Sequence, residues 1–384
     1  MSAQQPNRVV IVGGGIAGVE AALALAAFAP GRADVTIVSP DRRLRLPPLS
    51  TQAPFGARPE LDVPLAAVAR AADARVVEGA LDAVDLPRNR AVLADGEPVA
   101  YDRLIVAVGA LRTPVLASAV TFGGASDIAP MRALLDLIVV RGDAPVPTHL
   151  AFVVPPGPGW PLPVYELALL TARHLSRHGV RRAVELAVVS PEDRPLGLLG
   201  AEASATIAND LRAAGIAMWM GAVVRDWAWG TLRLASGEHV AADRVVALPA
   251  LRGPAIRGLP HNALGFLPVD PHGRVRATPG VFAVGDAASF TIKHGGLGAQ
   301  QADTVAALIA AELGAPPPPT ADAPVITSVL MGGDVIRLLR TDPLTGTGEA
   351  TPGLTAAAGG RTKVVARFLT PLLDRLASRG SAAA

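Results

Sequence analysis

Near its amino terminus the chain reads VVIVGGGIAGVEAALAL, an apolar run followed by glycines and an Ala/Leu-rich stretch. The apolar run is typical of a buried parallel strand, and the stretch after the glycines indicates a helix. A strand, a tight glycine turn and a helix open a βαβ unit, so this stretch predicts a parallel sheet. The turn fits the spacing GxGxxG and contains Gly13, Gly15, Ile16, Ala17 and Gly18.

Each glycine of this turn has its own physical role. Gly13 permits the tight turn, Gly15 lets a pyrophosphate approach the backbone because it has no Cβ, and Gly18 lets helix and strand pack closely. Free N–H groups at the start of the helix then face the phosphates. We therefore expect the turn to bind a dinucleotide, and a purely structural glycine turn is the alternative.

The strand that follows this unit departs from the usual dinucleotide pattern. It ends in Ser39, where Asp or Glu would hold the adenosine ribose. A serine hydroxyl can bond a ribose, although more weakly than a carboxylate does. The arginines at positions 42 and 43 would suit a 2′-phosphate, so NADP is an alternative ligand at this point.

Two later strands also run into glycine. The stretch TPGVFAVGDAASF brings a strand to Gly285 and Asp286 at its carboxyl end, where open α/β sheets bind ligands. It resembles the GD motif of two-domain flavoproteins, in which the Asp bonds the ribityl chain. The stretch YDRLIVAVGA, whose strand closes at Gly109, resembles their second signature beneath the cofactor. These motifs favour FAD in the first turn, and ordinary buried strands that end in turns are the alternative.

The order of GxGxxG, VAVGA, GVFAVGDAA and GGLGAQQAD resembles the pyridine nucleotide–disulfide oxidoreductase superfamily. Within it, the chain is most similar to the type II NADH dehydrogenase and sulfide:quinone reductase branch, over about residues 8–313. The resemblance implies that the helix near Leu297 aims its positive end at the flavin. It also implies that FAD is bound by the glycine turn, by Ser39 at the ribose, by Gly109 under the cofactor, and by Gly285 and Asp286 at the ribitol.

The alternation of strands and helices predicts an α/β architecture with parallel sheets. The resemblance implies the glutathione-reductase-like FAD/NAD(P)-binding fold: two Rossmann-like dinucleotide-binding domains, the second inserted in the first, and a small carboxyl-terminal segment. The expected FAD-binding domain comprises residues 1–125 and 255–315. The expected NAD(P)-binding-like domain, with a degenerate site, spans residues 126–254, and the carboxyl-terminal segment spans residues 320–384.

A second strand–turn–helix, FVVPPGPGWPLPVYELALL, has proline where the first unit has glycine. Val12 and Glu20 are eight positions apart in the first unit, whereas Val154 and Glu166 are twelve positions apart in the second. Proline carries no N–H, so the donors that would cradle a pyrophosphate are missing. We expect the second unit to keep the fold without ordinary NAD(P)H binding, and NAD(P)H bound in an altered pose is the alternative.

The sequence contains no cysteine, which excludes thiolate metal sites, iron–sulfur ligation and any dithiol redox centre. Sulfide oxidation or disulfide reduction through cysteine thiolates is excluded for the same reason.

The sequence gives no sign of a metal or nucleic-acid partner. No His, Asp and Glu cluster has metal-binding spacing, and a net charge of +2 with mixed signs forms no basic surface of the kind that binds nucleic acid. Without an apolar signal segment or a run of about 18 apolar residues, we expect a cytoplasmic protein.

These observations predict an FAD-dependent oxidoreductase that passes electrons from a small-molecule donor to a quinone-like or other acceptor, without thiols. An NAD(P)H:acceptor oxidoreductase and a non-catalytic flavin-binding protein are the alternatives.

Lysine occurs only at positions 293 and 363. As catalytic candidates, Lys293 could bond flavin N5 or a substrate anion, and Glu166 could relay protons. A solvated Lys293 and a Glu166 that satisfies the helix dipole are the alternatives. Further candidates for the pocket or for proton transfer are Trp160, Tyr165 and His294.

Near the carboxyl terminus, RTKVVARFLTPLLDRLAS places apolar side chains on one helical face, framed by basic residues. A basic amphipathic helix can lie on a membrane, which would give a peripheral contact suited to a quinone acceptor. Docking on the protein itself or on the partner of a homodimer is the alternative. Pro371 is expected to interrupt the helix. The apolar face consists of Val364, Val365, Phe368, Leu369, Leu372, Leu373 and Leu376.

Overall fold

The computed structural model describes residues 7–57, 63–142, 146–316, 325–333, 335–342, 348–352, 363 and 365–382. Within these ranges no helix is both long and apolar enough to cross a membrane. The α-helices are α1 (Ile16–Phe28), α2 (Leu65–Ala71), α3 (Ile128–Val140), α4 (Leu162–Arg177), α5 (Ala201–Ala213), α6 (Gly295–Glu312) and α7 (Leu369–Ala382). Short 3₁₀ helices lie at Pro47–Phe55, Leu86–Arg88, Ala125–Asp127, Arg181–Ala183, Gly197–Leu199 and Gly285–Ala287.

Two parallel sheets form the body of the protein, and their strands are numbered in chain order. The first contains β1 (Asn7–Val12), β2 (Ala33–Ser39), β5 (Ala74–Glu78), β9 (Arg103–Val106) and β20 (Val281–Ala283), in the order β20–β9–β1–β2–β5. The second contains β11 (Val120–Thr121), β12 (Thr148–Val153), β13 (Val184–Val189), β14 (Ile216–Trp219) and β18 (Arg244–Ala247), in the order β11–β18–β12–β13–β14. The four strands β9–β1–β2–β5 correspond to β18–β12–β13–β14, whereas the outer strand comes last along the chain in the first sheet and first in the second. This arrangement confirms the predicted α/β fold with two Rossmann-like units.

Small antiparallel elements surround the two parallel sheets. One of them, the pair β10 (Leu111–Thr113) and β19 (Ala250–Arg252), lies where the chain leaves the first sheet and where it returns, so the second unit is inserted in the first. Strand β11 already belongs to the second sheet, and the exact domain boundaries stay a prediction. The other strands are β3 (Arg43–Leu44), β4 (Val63–Pro64), β6 (Leu81–Asp85), β7 (Arg90–Leu93), β8 (Pro98–Ala100), β15 (Val224–Ala228), β16 (Thr231–Leu234), β17 (His239–Ala241), β21 (Ile326–Gly332), β22 (Val335–Thr341) and β23 (Gly348–Pro352).

Strand β1 is apolar on both faces because both faces of the first sheet are covered. Val9 and Ile11 pack in the core that contains α1 and α6, whereas Val10 and Val12 pack in a core on the opposite side. Helix α1 is buried from Gly18 to Leu25, and a helix that is apolar all round is expected to be buried in this way. The packing of β1 and α1 in these cores holds the glycine turn, which joins them, at the carboxyl end of β1.

The carboxyl-terminal segment differs from the prediction. Helix α7 begins at Leu369, and residues 363 and 365–368, which belong to the predicted amphipathic helix, are not helical. Pro371 lies in the first turn of α7, where an N–H has no partner within the helix, so Pro371 does not interrupt it.

The apolar face of α7 packs on the protein, as the docking alternative expects. Leu369, Leu372 and Leu373 are buried in the same core as α1, and Phe368 and Leu376 pack against that core. Val364 lies outside the described residues, and Val365 is exposed. Since this face is covered, any membrane contact of the segment would involve other side chains.

Candidate functional site

A cavity of about 1330 Å³ opens at the carboxyl ends of both parallel sheets. Its walls include the first glycine turn, Gly109, Asp286, the proline turn and Leu248. Ligand pockets usually enclose about 300–1,000 Å³, so this cavity has room for a dinucleotide and a second molecule. Its position matches the crevice at which open α/β sheets bind ligands.

The glycine turn forms one end of the cavity. A Cβ on Gly13, whose φ is +121°, would collide with the carbonyl of Ala107, and a Cβ on Gly18 would collide with the carbonyl of Gly13. A Cβ on Gly15 would meet no atom within 4 Å and would project into open space. Gly13, Gly15, Ile16 and Ala17 line the cavity, whereas Gly18 does not. Gly18 therefore acts through packing alone.

The GD turn lies directly beside the glycine turn. A Cβ on Gly285 would lie 3.1 Å from the Cβ of Ala17, and the Gly285 N–H donates to Gln301 Oε1 at 2.8 Å. Asp286 lines the cavity, and its carboxylate has no hydrogen-bond partner among the described residues. Burial raises the pKa of Asp286, while the charges of Lys293 and Arg112 oppose that rise. An acceptor placed in this way suits a ligand with hydroxyl groups.

Ser39 lines the cavity, but its hydroxyl is engaged with its own loop. It donates to the carbonyl of Asp41 at 3.0 Å and accepts the Asp41 N–H at 3.2 Å. Two carboxylates line this end of the cavity: Asp41, which pairs with Arg45 at 3.2 Å, and Asp82, which pairs with Arg257. The sequence predicts a ribose contact at Ser39, and Asp41, two positions later in the same loop, is a second candidate for that contact.

The proline turn lines the cavity without forming a phosphate cradle. Pro161 precedes α4 and Pro163 is its second residue, and neither carries an N–H. The Val164 N–H donates to the carbonyl of Pro161 at 3.0 Å. Among residues 161–164, this leaves the N–H of Leu162 as the one free backbone donor. The helix start therefore offers almost none of the donors that bind phosphates at other helix termini.

The proline turn instead pairs with the loop that carries Lys293. The Gly159 N–H donates to the carbonyl of Thr291 at 3.1 Å, and the Lys293 N–H donates back to the carbonyl of Gly159 at 3.2 Å. This two-bond bridge ties the second unit to the loop after the GD turn. The additional turn residues thus serve to close one side of the cavity.

Lys293 is buried in the cavity wall, which excludes the solvated alternative. Its Nζ donates to the carbonyls of Ala288 at 2.6 Å and Asp286 at 3.1 Å, and it lies 3.9 Å from the centre of the Phe266 ring. Burial lowers the pKa of Lys293 to about 8, although the Asp286 charge opposes this shift. Lys293 therefore fixes the GD turn and contributes positive charge beside Asp286.

His294 is the N-cap residue that precedes helix α6, and it lines the cavity. Its Nδ1 accepts the Leu297 N–H at 3.3 Å, and its Nε2 lies 2.7 Å from Ser328 Oγ. The ring packs edge-on against Trp160, with 4.8 Å between ring centres. Burial lowers the pKa of His294 to about 4, so the ring is neutral near pH 7.

Glu166 does not satisfy the dipole of its own helix. One oxygen accepts the Thr51 hydroxyl at 2.7 Å, and the other accepts the Met331 N–H and the Lys363 ammonium, each at 2.7 Å. Lys363 also donates to Thr51 Oγ1 at 2.8 Å. Thr51, Glu166 and Lys363 are buried and all line the cavity. Sequence reasoning missed Thr51, whereas the rarity of lysine already marked Lys363.

Several predicted residues do not reach the cavity. Tyr165 is fully buried and its hydroxyl donates to Glu192 at 2.5 Å, so its placement beside a flavin was wrong. Leu297 is buried in the core, and its N–H is taken by His294, so it offers no donor at the helix start. Trp160 does line the cavity, as predicted.

Among the described residues, no group of three or more His, Asp or Glu is placed to hold a metal ion.

The residues present fit FAD. Gly15 leaves space where a phosphate can approach the start of α1, and the unpartnered Asp286 carboxylate suits ribityl hydroxyls. Arg112 and Lys293 add positive charge to the same wall. A dinucleotide would therefore extend from Ser39 at one end, past the glycine turn, to Asp286 at the other.

Comparisons with known proteins agree with this geometry. A family model described as pyridine nucleotide-disulphide oxidoreductase matches residues 7–132 and 166–305. An NADH dehydrogenase-like protein of Mycobacterium tuberculosis, found in strains CDC 1551 and H37Rv, is 30% identical over 302 residues, which are 74% of this chain and 73% of that protein.

Solved structures share the fold. The sulfide:quinone oxidoreductase from the hyperthermophilic bacterium Aquifex aeolicus has a TM-score of 0.81 and 19% identity, covering 90% of this chain and 87% of that chain. NDH2 from Plasmodium falciparum in complex with NADH has a TM-score of 0.60 and 17% identity, covering 75% and 66%. From the family match and the mycobacterial relative, the chain belongs to the pyridine nucleotide-disulphide oxidoreductase family of flavin-dependent enzymes.

Proposed function

We propose that this enzyme uses FAD to pass electrons from a small donor to a quinone-like acceptor, without thiols. FAD, when bound, supplies the electron-transfer chemistry. The observation that carries the proposal is the Thr51–Glu166–Lys363 network in the wall of the same cavity as the glycine turn. Such a network can hold protons for an acceptor that takes up protons as it is reduced. The similar sulfide:quinone oxidoreductase from Aquifex aeolicus, which is named for a quinone, adds support for this acceptor.

The residues that would bind FAD all lie in the first unit. Gly13, Gly15, Ile16 and Ala17 would hold the pyrophosphate, and Asp286 the ribityl hydroxyls. Gly109, Gly285 and Ser39 would shape the surrounding wall. Residues 1–125 and 255–315 would form the FAD-binding domain, and residues 126–254 the second domain. The carboxyl-terminal segment, from residue 320, would complete the acceptor side through Lys363.

Proton delivery would come from Lys363, whose ammonium group is held in the cavity wall by the Glu166 carboxylate. Reduction of a quinone to a quinol takes up protons at both carbonyl oxygens. The Lys363 ammonium carries a proton at the cavity wall, and the Thr51 hydroxyl joins Lys363 Nζ to Glu166 Oε2. Lys363 would thus give one proton to the acceptor, the Thr51 hydroxyl and Glu166 would hold its nitrogen in place, and water that enters the cavity after the product leaves would restore the proton. The sequence has no cysteine, so the acceptor must be reduced without a protein thiol.

The electron donor separates two forms of the proposal. The proline turn lacks the N–H groups of a phosphate cradle, which favours a donor other than NAD(P)H. The NADH dehydrogenase-like relative and the NADH complex of NDH2 favour NAD(P)H bound in an altered pose.

A flavin-binding protein without turnover fits neither the family nor the buried ion pair in the cavity. Peripheral membrane contact and a homodimer remain predictions about the partners.

Anaerobic half-reactions test the proposal without knowledge of the donor. The purified protein is checked for FAD, reduced photochemically, and mixed with duroquinone while the visible absorbance of oxidised flavin is followed. Rapid return of that absorbance is expected. A reduced flavin that duroquinone does not reoxidise would contradict a quinone acceptor. In a separate mixing, bleaching of the oxidised protein by NADH or NADPH would establish the second form of the proposal.

A further inference from the structure

The position of the His294 proton is fixed by the two hydrogen bonds of the ring. A backbone amide can only donate, so the 3.3 Å bond from the Leu297 N–H requires an unprotonated Nδ1. In the neutral ring the hydrogen is then on Nε2, and Nε2 donates to Ser328 Oγ at 2.7 Å. His294 is 8% exposed, and no carboxylate contacts its ring among the described residues, so nothing nearby favours the charged form.

This tautomer determines what the Ser328 hydroxyl can do. An oxygen that already accepts from His294 still carries one hydrogen of its own to donate. No described residue accepts that hydrogen, although Ser328 is 4% exposed. Ser328 lies on strand β21 and lines the cavity together with Val329. The hydroxyl is therefore a buried donor whose remaining partner must come from the cavity.

The surroundings of Ser328 suit the acceptor rather than the dinucleotide. Trp160 packs on the His294 ring and lines the same wall. Three residues beyond Ser328 on the same strand, the Met331 N–H is held by Glu166, which pairs with Lys363. A flat ligand with a carbonyl oxygen would here meet an aromatic ring, a neutral donor and the proton-carrying network.

We propose that Ser328 donates a hydrogen bond to a carbonyl oxygen of the acceptor, and that His294 sets the direction of this donor. The ligand class is a planar compound with a carbonyl or similar acceptor oxygen, such as a quinone. This inference rests on the proposed function of the cavity. Ser328 is thus a binding residue, and His294 is a positioning residue that acts through it.

Reoxidation of the photoreduced holoenzyme tests the inference. Loss of one hydrogen bond lowers affinity by roughly three- to tenfold, so Ser328→Ala should lower the second-order rate constant with duroquinone by about that factor. Ferricyanide offers no carbonyl oxygen, so its rate should be unchanged. Ser328→Thr keeps a hydroxyl and should restore most of the duroquinone rate. Ser204→Ala, a matched change at a buried serine outside the cavity, should leave both rates at the wild-type value.

A second variant keeps the test decisive if Ser328→Ala folds poorly. Asn is a preferred helix N-cap, so His294→Asn should retain the start of α6 while removing the Nε2 donor. Ser328 could then turn its hydrogen elsewhere, and the duroquinone rate should fall by roughly twofold with the ferricyanide rate intact. Wild-type enzyme that duroquinone cannot reoxidise would overturn the proposed function. Wild-type, Ser328→Ala and His294→Asn enzymes that duroquinone reoxidises equally fast would overturn this inference alone.

Discussion

Glu20 and Glu166 occupy corresponding places in the two strand–turn–helix units, and each carboxylate binds the carboxyl-terminal part of the chain. Glu20 accepts the N–H groups of Phe368 and Leu369, both at 2.7 Å, where α7 begins. Glu166 accepts the Met331 N–H and the Lys363 ammonium. Each of the two Rossmann-like units therefore holds the last segment through one buried acid.

This arrangement makes the carboxyl-terminal segment part of the site. Ser328, Val329 and Lys363 line the cavity, and they are held there by Glu166 and by the packing of α7. Helix α7 is held on the first unit and strand β21 on the second. The carboxyl-terminal segment therefore spans the cavity in a defined position. Changes at either acid should therefore affect the site as well as stability.

The ion pair of Glu166 and Lys363 should be required for reduction of a quinone. We expect Lys363→Met to slow duroquinone reoxidation of the photoreduced flavin by roughly 100-fold, because the acceptor loses its proton donor. Ferricyanide takes up no protons, so its reoxidation rate should stay near wild type. Stopped-flow absorbance measures both rates. An equal loss with both acceptors would contradict a proton-delivery role.

A stability cycle tests the same pair independently. Removing one partner of a buried ion pair costs about 3–5 kcal/mol, so Glu166→Gln and Lys363→Met should each lower the free energy of unfolding. The double variant should lose less than the sum of the two. The pair Arg337 and Asp210, at 2.7 Å and away from the cavity, is the control. Arg337→Met should change stability without changing the duroquinone rate.

Gly15 and Gly18 should respond differently to alanine. In Gly15→Ala the new methyl group projects into the cavity, so bound FAD should fall by about tenfold or more while the fold is kept. In Gly18→Ala the methyl group meets the Gly13 carbonyl, and overpacking of this kind costs about 1–3 kcal/mol. Flavin absorbance per protein and urea unfolding measure the two effects. Equal flavin loss with equal destabilisation would refute the separate roles.

Asp286 should contribute strongly to FAD affinity. Its half-buried carboxylate has ligand hydroxyls as the expected partners, and a hydrogen bond to a charged group is worth about 1.5–3 kcal/mol. Asp286→Ala should therefore weaken FAD binding by roughly 10- to 150-fold. Asp286→Asn keeps one acceptor oxygen and should weaken binding less. Titration of the apoprotein with FAD gives the dissociation constants, and unchanged values would remove Asp286 from the site.

The sequence could predict those parts of the site that are local. The glycine turn and the GD turn each follow a short apolar strand, and such strands end at the same edge of a parallel sheet. Gly13, Gly15 and Asp286 could thus be placed together from the sequence alone. The lack of a phosphate cradle at the proline turn could also be predicted, because proline itself carries no N–H group.

The partners of Glu166 could not be predicted from the sequence. Thr51 lies 115 positions from Glu166, and Lys363 lies 312 positions from Thr51. Contacts of this range leave no periodic pattern that identifies them. Tyr165 was misplaced for a different reason: neighbouring helical residues point about 100° apart, so Tyr165 lies in the core while Glu166 lines the cavity. Which of the two reaches the ligand depends on how α4 is rotated in the fold.

Buried Glu20 and half-buried Asp303 should make stability depend on pH. Burial, followed by the charge of Glu20, raises the pKa of Asp303 to about 7, and the charge of Arg367 opposes this rise. Burial also raises the pKa of Glu20, against the N–H groups of Phe368 and Leu369. The folded protein thus binds these protons more tightly than the unfolded chain. Their contribution to stability is fully present below about pH 4 and is lost as the pH rises through about 7.

Replacement of Asp303 by Asn should remove most of this dependence. The variant carries no charge beside Glu20, so its free energy of unfolding at about pH 8 should exceed the wild-type value by about 1 kcal/mol. Urea unfolding between about pH 4 and pH 8 measures the slope. Asp102 is the contrasting control, because hydrogen bonding to Arg8 lowers its pKa, and Asp102→Asn should remove stability that is lost on acidification. Identical pH profiles for wild type and Asp303→Asn would show that the pKa of Asp303 is not raised in the folded protein.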